Sequence, residues 1–492
     1  MRKRLHSILF IVLFMIYAAC YQDVLSHIIY YQEQHHLFLF STAYFTHSLH
    51  GEGWMSWLTD FLIQFFYFPW LGSCLLAGLL SSVYLLVRFI IYRVTGKRDL
   101  LQLSLLPSLY LFLQTVSADA SLVPVVSTWI GLLVLAGICW WLSPWLKKIH
   151  GLIPEVHVKP RVYWILTVCV LLVYGGGTFY KFLQKYDIRE YRMLKAEQAV
   201  KEKDWDGVLV QTEKYLKRQS SNQLIFYFRN LALFHKGQLL DHLLDYPLNM
   251  GVKALYFPWN SDSRESEYGH FLYEDLGYIN EAQRWEFEAM VVWGETAPHL
   301  LNLARYNVVN KRPEVARRFI NLLKQSLFYR KDAEQLEAAL STGKVPGLRA
   351  PLADVKESPA RFANILNIGP ELQYLCEKDS TNRMAFEYLM CDLLLSNQVV
   401  RFVENLKYMQ HFDYPQMPAL FEEALFMYRL GVGDEKFAET GYTISSQTEN
   451  RFKHYYQLYQ QRDMSRLKQE FGNSYWYYLN FVSPYGNKII TR

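Results

Sequence analysis

The amino-acid sequence predicts an all-α protein in two parts, an N-terminal bundle of about five transmembrane helices followed by a water-soluble α-solenoid of helical hairpins. Three observations predict it. Apolar stretches fill most of the first 180 residues, the basic residues there gather on alternate connections, and beyond Tyr180 apolar residues recur at helical intervals with no strand-like alternation.

With 492 residues the chain is long enough for two or three domains, and its two parts differ too much in composition to share one core. Of its 51 Lys and Arg residues, 11 precede the boundary near Tyr180, together with 7 of the 46 Asp and Glu. The membrane part therefore carries a net +4 and the tail +1. A nearly neutral tail lacks the clustered cationic footprint of nucleic-acid binding, so no nucleic acid is expected as a partner.

A spanning helix needs about 20 apolar residues, because every backbone polar group must be satisfied without water. Five stretches qualify: residues 5–21, 69–92, 100–116, 121–142 and 162–180. The basic flanks at 2–4, 88–98 and 147–161 then alternate with connections that hold no Lys or Arg, which sets the N-terminus in the cytoplasm. Five crossings place the tail outside. The third stretch is the weak one, since it holds Gln102, Pro107 and Gln114; were it re-entrant, the tail would be cytoplasmic. The first stretch is read as a signal anchor, although Ala18-Ala19-Cys20 loosely resembles a lipoprotein cleavage site.

The first outer loop, 22–68, is rich in aromatic residues. Trp54, Trp57, Phe61, Phe65 and Phe66 recur at near-helical spacing and suit either a helix at the membrane interface or packing against the spans. The loop also collects His27, Glu33, His35, His36, His47, His50 and Glu52. His47 and His50, three apart, are the candidate metal ligands, although no fixed ligand signature accompanies them. If the protein is an enzyme, Glu33, Glu52 and Asp60 are the candidate catalytic carboxylates. In outline the layout is similar to polytopic glycosyltransferases that use lipid-linked sugars, but the acidic pair of those enzymes is missing.

In the tail, turn signals recur at a period of 34. Gly237 lies 34 residues after Lys203, Lys311 lies 34 after Gly277, and Gly431 lies 34 after Asn397. The segments 203–209 and 276–282 resemble the inter-helix turn of the tetratricopeptide family, so the tail is read as a TPR-like α-solenoid. Ala282, Ala289, Ala304 and Ala316 are expected where helices cross. Tyr227, Leu231, Phe234, Trp285, Phe287, Phe319, Leu323, Phe386, Leu389, Phe402 and Phe426 are expected to fill the layers between units.

Two insertions, 246–267 and 341–359, break the register and divide the tail into blocks at 181–345 and 346–492. The aromatic loop in the first insertion makes Phe257 and Trp259 candidate partner-binding residues. The aromatic run 475–481 is expected to cap the last repeat. Cys376 and Cys391 are read as buried thiols ahead of a disulfide.

Phosphate-cradling, dinucleotide, serine-elbow and paired-cysteine motifs are all absent, so no cofactor is expected. Taken whole, the layout resembles uncharacterised bacterial membrane proteins that join a short polytopic region to a tetratricopeptide-like tail, most closely over 268–325 and 382–405. That resemblance implies a multi-pass protein of the bacterial inner membrane and implies no activity. The expected role is a membrane-anchored helical-repeat scaffold docking a protein partner on the extracytoplasmic side. The alternative is a glycan- or lipid-handling transferase whose site lies between the first outer loop and the tail.

Overall fold

The computed structural model describes residues 2–51, 53–97, 99–145, 160–218, 221–258, 263–348 and 368–486. Among these residues every regular element is a helix, as the apolar periodicity implied. The chain divides into two compact units. The first comprises Met1–Leu194, Glu295–Leu301 and Arg317–Ala338; the second comprises Lys195–Gly294, Asn302–Ala316 and Ala339–Arg492.

In the first unit the chain forms α1 (Arg2–Gln22), α2 (Ser26–His35), α3 (Thr42–Gly51), α4 (Trp54–Ile63), α5 (Pro69–Thr95), α6 (Leu105–Gln114), α7 (Val123–Trp141) and α8 (Pro160–Lys185). Three helices are long and apolar enough to cross a membrane: α5, α7, and α8 over Val162–Lys185. α1 and α2 meet at a 69° bend and make a fourth if the broken pair counts as one span.

The expected third span departs from expectation. Only α6 is helical there, and at 1.5 Å per residue its ten residues reach about 15 Å, half of a hydrocarbon core. The cause is local: Gln102 adopts φ 48°, and the Asp99 carboxylate accepts from the N–H groups of Leu103 and Ser104 at 2.9 and 2.8 Å. That turn caps the chain and prevents the helix from extending back.

α5 and α7 nevertheless run parallel. The Trp129 indole donates to Ser82 at 2.8 Å, Arg93 donates to Ser143 at 3.0 Å, and Leu122 and Val125 lie beside Leu76. Parallel neighbours require a connection that returns along their full length, so residues 96–122 pass from one end of the pair to the other. α6 runs in the same sense as α1, through the hydroxyl pairs Tyr17–Ser108 and Tyr21–Thr115. It also runs in the same sense as α8, where Tyr174 donates to the Leu101 carbonyl at 3.1 Å and Lys185 to that of Leu113 at 3.0 Å. Buried hydroxyls paired in this way satisfy the rule that polar groups shielded from water find partners within the protein.

The second unit is built from helical hairpins that share one corner. Lys203, Gly237, Gly277, Lys311, Asn397 and Arg462 all have positive φ, between 55° and 76°. At each, the N–H of the following residue bonds the carbonyl five positions back: Asp204 to Ala199, Gln238 to Leu233, Tyr278 to Tyr273, Arg312 to Asn307, Gln398 to Leu393 and Asp463 to Leu458, at 2.7 to 3.1 Å. This is the Schellman ending of a helix. The next helix begins one residue later, and at Asp204 and Asp463 that residue's carboxylate also caps it.

Five of these six corners are turn positions expected from the 34-residue spacing. The sixth expected position, Gly431, lies inside the helix Ala419–Val432, and the chain turns instead at Gly433, φ 89°. Ala282, Ala289, Ala304 and Ala316 are all fully buried. Of the expected layer residues, Phe287 departs: it is 51% exposed.

At the C-terminal end, Tyr475, Trp476 and Tyr478 are buried. The backbone N–H of Tyr475 and the indole of Trp476 bond Glu423, at 2.7 and 3.2 Å. Cys376 and Cys391 are buried free thiols.

Candidate functional site

Residues 22–51 and 53–68 fold into a crown together with residues 325–330 of the same unit. The backbone N–H of Phe40 donates to the Gln325 carbonyl at 2.8 Å, and the Phe328 ring stacks on Tyr67 with centroids 5.1 Å apart. Phe65 and Phe68 close edge-on around Phe328. Trp57, Phe61 and Phe65 thus extend a ladder of ring contacts that begins at Phe38, so these three rings pack within the unit, whereas Trp54 is 53% exposed. Ring contacts of this geometry add about 0.5–1.5 kcal/mol each beyond area burial.

Two of the three candidate carboxylates lie in this crown. The end of α2 carries Glu33 and leads directly to His36, and the second turn of α4 carries Asp60. His36 Nδ1 donates to one oxygen of Asp60 at 2.9 Å, and the Tyr44 hydroxyl donates to the other at 3.0 Å. The Glu33 carboxylate accepts from Gln34 at 2.6 Å and from the Tyr329 hydroxyl. Burial, with the Glu33 charge beside it, pushes the Tyr329 hydroxyl well above its ordinary value.

Glu33, His36, Gln64, Ser326 and Tyr329 line a crevice whose remaining wall is apolar, with Phe38, Ile63 and Phe328. Its free volume is about 10 Å³, room for one water. Chemically, the arrangement holds an imidazole oriented by a carboxylate, the second and third members of a nucleophile–base–orienter set. The third candidate carboxylate, Glu52, lies outside the described residues.

The remaining candidates are dispersed. His47 and His50 are exposed on α3, and His50 Nδ1 donates to the Thr46 carbonyl at 2.7 Å. Among the described residues, no group of three or more His, Cys, Asp or Glu is placed to hold a metal ion. Phe257, expected as an open aromatic, is 3% exposed and packs on Tyr227 with centroids 4.3 Å apart. Its Pro-broken loop folds back over the hairpin, because a ring of that size gains more from the core than from water. Trp259 lies outside the described residues.

Sequence reasoning missed a buried charged network in the second unit. Lys201 Nζ lies 3.6 Å from Glu197 and 3.2 Å from Glu267. His270 is wedged between Glu274 and Glu286, 3.3 and 3.4 Å from its two ring nitrogens. Tyr306 donates to Glu274, Arg305 stands 3.7 Å from the same carboxylate, and Asn302 donates to Glu286 at 3.2 Å. Burial works against the charge of Glu274, yet the His270 hydrogen bond, Arg305 and Tyr306 outweigh it and hold the carboxyl down at about 2. No motif marks these residues; each reads in sequence as a solvated helix position.

The comparisons with curated proteins and with solved structures gave no match. One family model matches, over residues 1–189 and 178–482, and it is described as "Family of unknown function (DUF6057)". Matched from its first helix to its C-terminal aromatic run, the chain belongs to this family.

Proposed function

We propose that the protein is a membrane-anchored helical-repeat scaffold that docks a protein partner on the extracytoplasmic side of a bacterial inner membrane. The observation that carries the reading is the repeated corner of the second unit, six helix-to-helix turns with one hydrogen-bond pattern, two pairs of them 34 residues apart. Stacks of such TPR-like hairpins present extended surfaces to partners. The helix Ile279–Trp293 supports it further: Phe287, expected in a buried layer, is 51% exposed, and Val291, one turn on, is 66% exposed.

Parallel α5 and α7, joined by residues 96–122, favour five passages in alternate directions, with the short α6 inside the third. With basic flanks inside, five passages put residue 185 and the chain beyond it outside.

A photo-crosslinking residue in place of Phe287, in the full chain in cells, tests the scaffold. A discrete protein adduct that disappears with Val291→Glu is expected; labelling of lipid alone removes the reading.

The His36–Asp60–Tyr44 set beside Glu33 favours a second reading, a glycan- or lipid-handling transferase with its site in the crown. Membranes enriched in the protein would then transfer labelled sugar or acyl groups from lipid-linked donors. His36→Ala and Asp60→Asn should abolish that transfer at unchanged expression, and wild-type membranes without transfer eliminate the idea.

A further inference from the structure

We propose that Asp392 is a buried proton-binding site whose ionisation releases the C-terminal strap, residues 475–486, from the second unit. Asp392 sits on the helix Arg383–Leu395, 1% exposed, and neither of its carboxylate oxygens has a hydrogen-bond partner among the described residues. A neutral acid tolerates that position, whereas an ionised carboxylate there is a charge without donors.

The groups that face it do not change this. Among the described residues Arg401 is the cation that acts on it, and that guanidinium donates to Gln398 at 2.8 Å and to Gln373 at 3.1 Å instead. Glu371, on the helix Gly369–Lys378, adds a like charge. The hydroxyl of Tyr256 is turned to the backbone of Ile368, and that of Tyr485 to the backbone of Val252. Cys391, the neighbour in sequence, is buried as well.

The strap closes over the end of the same helix. The hydroxyls of Tyr475 and Tyr478 donate to the carbonyls of Leu394 and Leu395 at 3.1 and 2.6 Å. Asn397, the corner residue, donates to the Gly486 carbonyl at 2.6 Å and accepts from Ser483 at 3.2 Å. Tyr485 then lies on Gly251, where a Cβ would come within 2.6 Å of its ring. Tyr485 is about half exposed and stands close enough to Asp392 to feel its charge, so the strap borders both the acid and solvent.

Burial raises the Asp392 carboxyl to about 7, and opening the strap would return it toward its ordinary value of about 4. The acid binds its proton more tightly when closed, so the open fraction grows with pH. The rise is up to about tenfold per unit between about pH 4 and pH 7, with a plateau above.

Hydrogen exchange of peptides covering 475–486, in the full-length protein from pH 5 to pH 8, tests this. Dividing each rate by that of Asp392→Asn at the same pH cancels the chemistry of exchange. The ratio should climb steadily to pH 7 and then level. A ratio flat across the range overturns the proposal. Asn397→Ala, which cuts two strap bonds and leaves Asp392 in place, should raise exchange at every pH with the wild-type slope retained; loss of that slope would also overturn it.

Discussion

A carboxylate inside a helical stack keeps its charge only where donors surround it, and Glu274 and Asp392 stand at opposite ends of that rule. Glu274 has three donors or cations and is held at about 2; Asp392 has none within hydrogen-bond reach among the described residues and is raised to about 7. The folded state of Glu274 therefore favours the ionised form, and its contribution is present above its unfolded value near 4.5 and lost as pH falls toward 2. Glu274→Gln should destabilise the second unit by about 3 kcal/mol at pH 7, a difference that shrinks through this acid window, as urea unfolding at several pH values would register. Packing sets a second residue-scale limit. A Cβ on Gly269 would collide with the Trp285 ring, so Gly269→Ala should cost about 1–3 kcal/mol and lower the melting temperature.

At the scale of elements, the corners join the helices of the second unit at a conformational cost. Four of the six left-handed corner residues are not glycine, and an L side chain there costs about 1 kcal/mol. Lys311→Gly should therefore stabilise the protein by about 0.5–1 kcal/mol in denaturant melts. Asn397→Gly should destabilise it, because the Asn397 side chain ties Ser483 and Gly486 to the corner. The contrast between two residues of similar φ separates backbone relief from side-chain anchoring. In α6 the ten residues are mostly apolar, but the Asp99 cap and the left-handed Gln102 stop the helix short. A hydropathy window averages across such a break and does not see it.

At the scale of the whole molecule, topology is the testable property. Under the five-passage reading, Asp119→Cys, exposed in the connection after α6, reacts with an impermeant maleimide added to intact cells. Lys97→Cys, just past the left-handed end of α5, reacts only after the cells are opened. Reversal of the two patterns would require the tail to lie inside.

The all-helical class, the long apolar helices α5, α7 and α8, and five corner positions were legible in the sequence, because hydropathy period and turn residues are local properties of the chain. Pairings between distant residues were not. His36 meets Asp60 across 24 positions, Tyr329 meets Glu33 across 296, and His270 is wedged between two glutamates while the Asp392 carboxylate meets no donor among the described residues. Local periodicity decides which face of a helix is buried. Only the packing of one helix on another decides what that face then meets, and hence which acids are charged and which rings are covered.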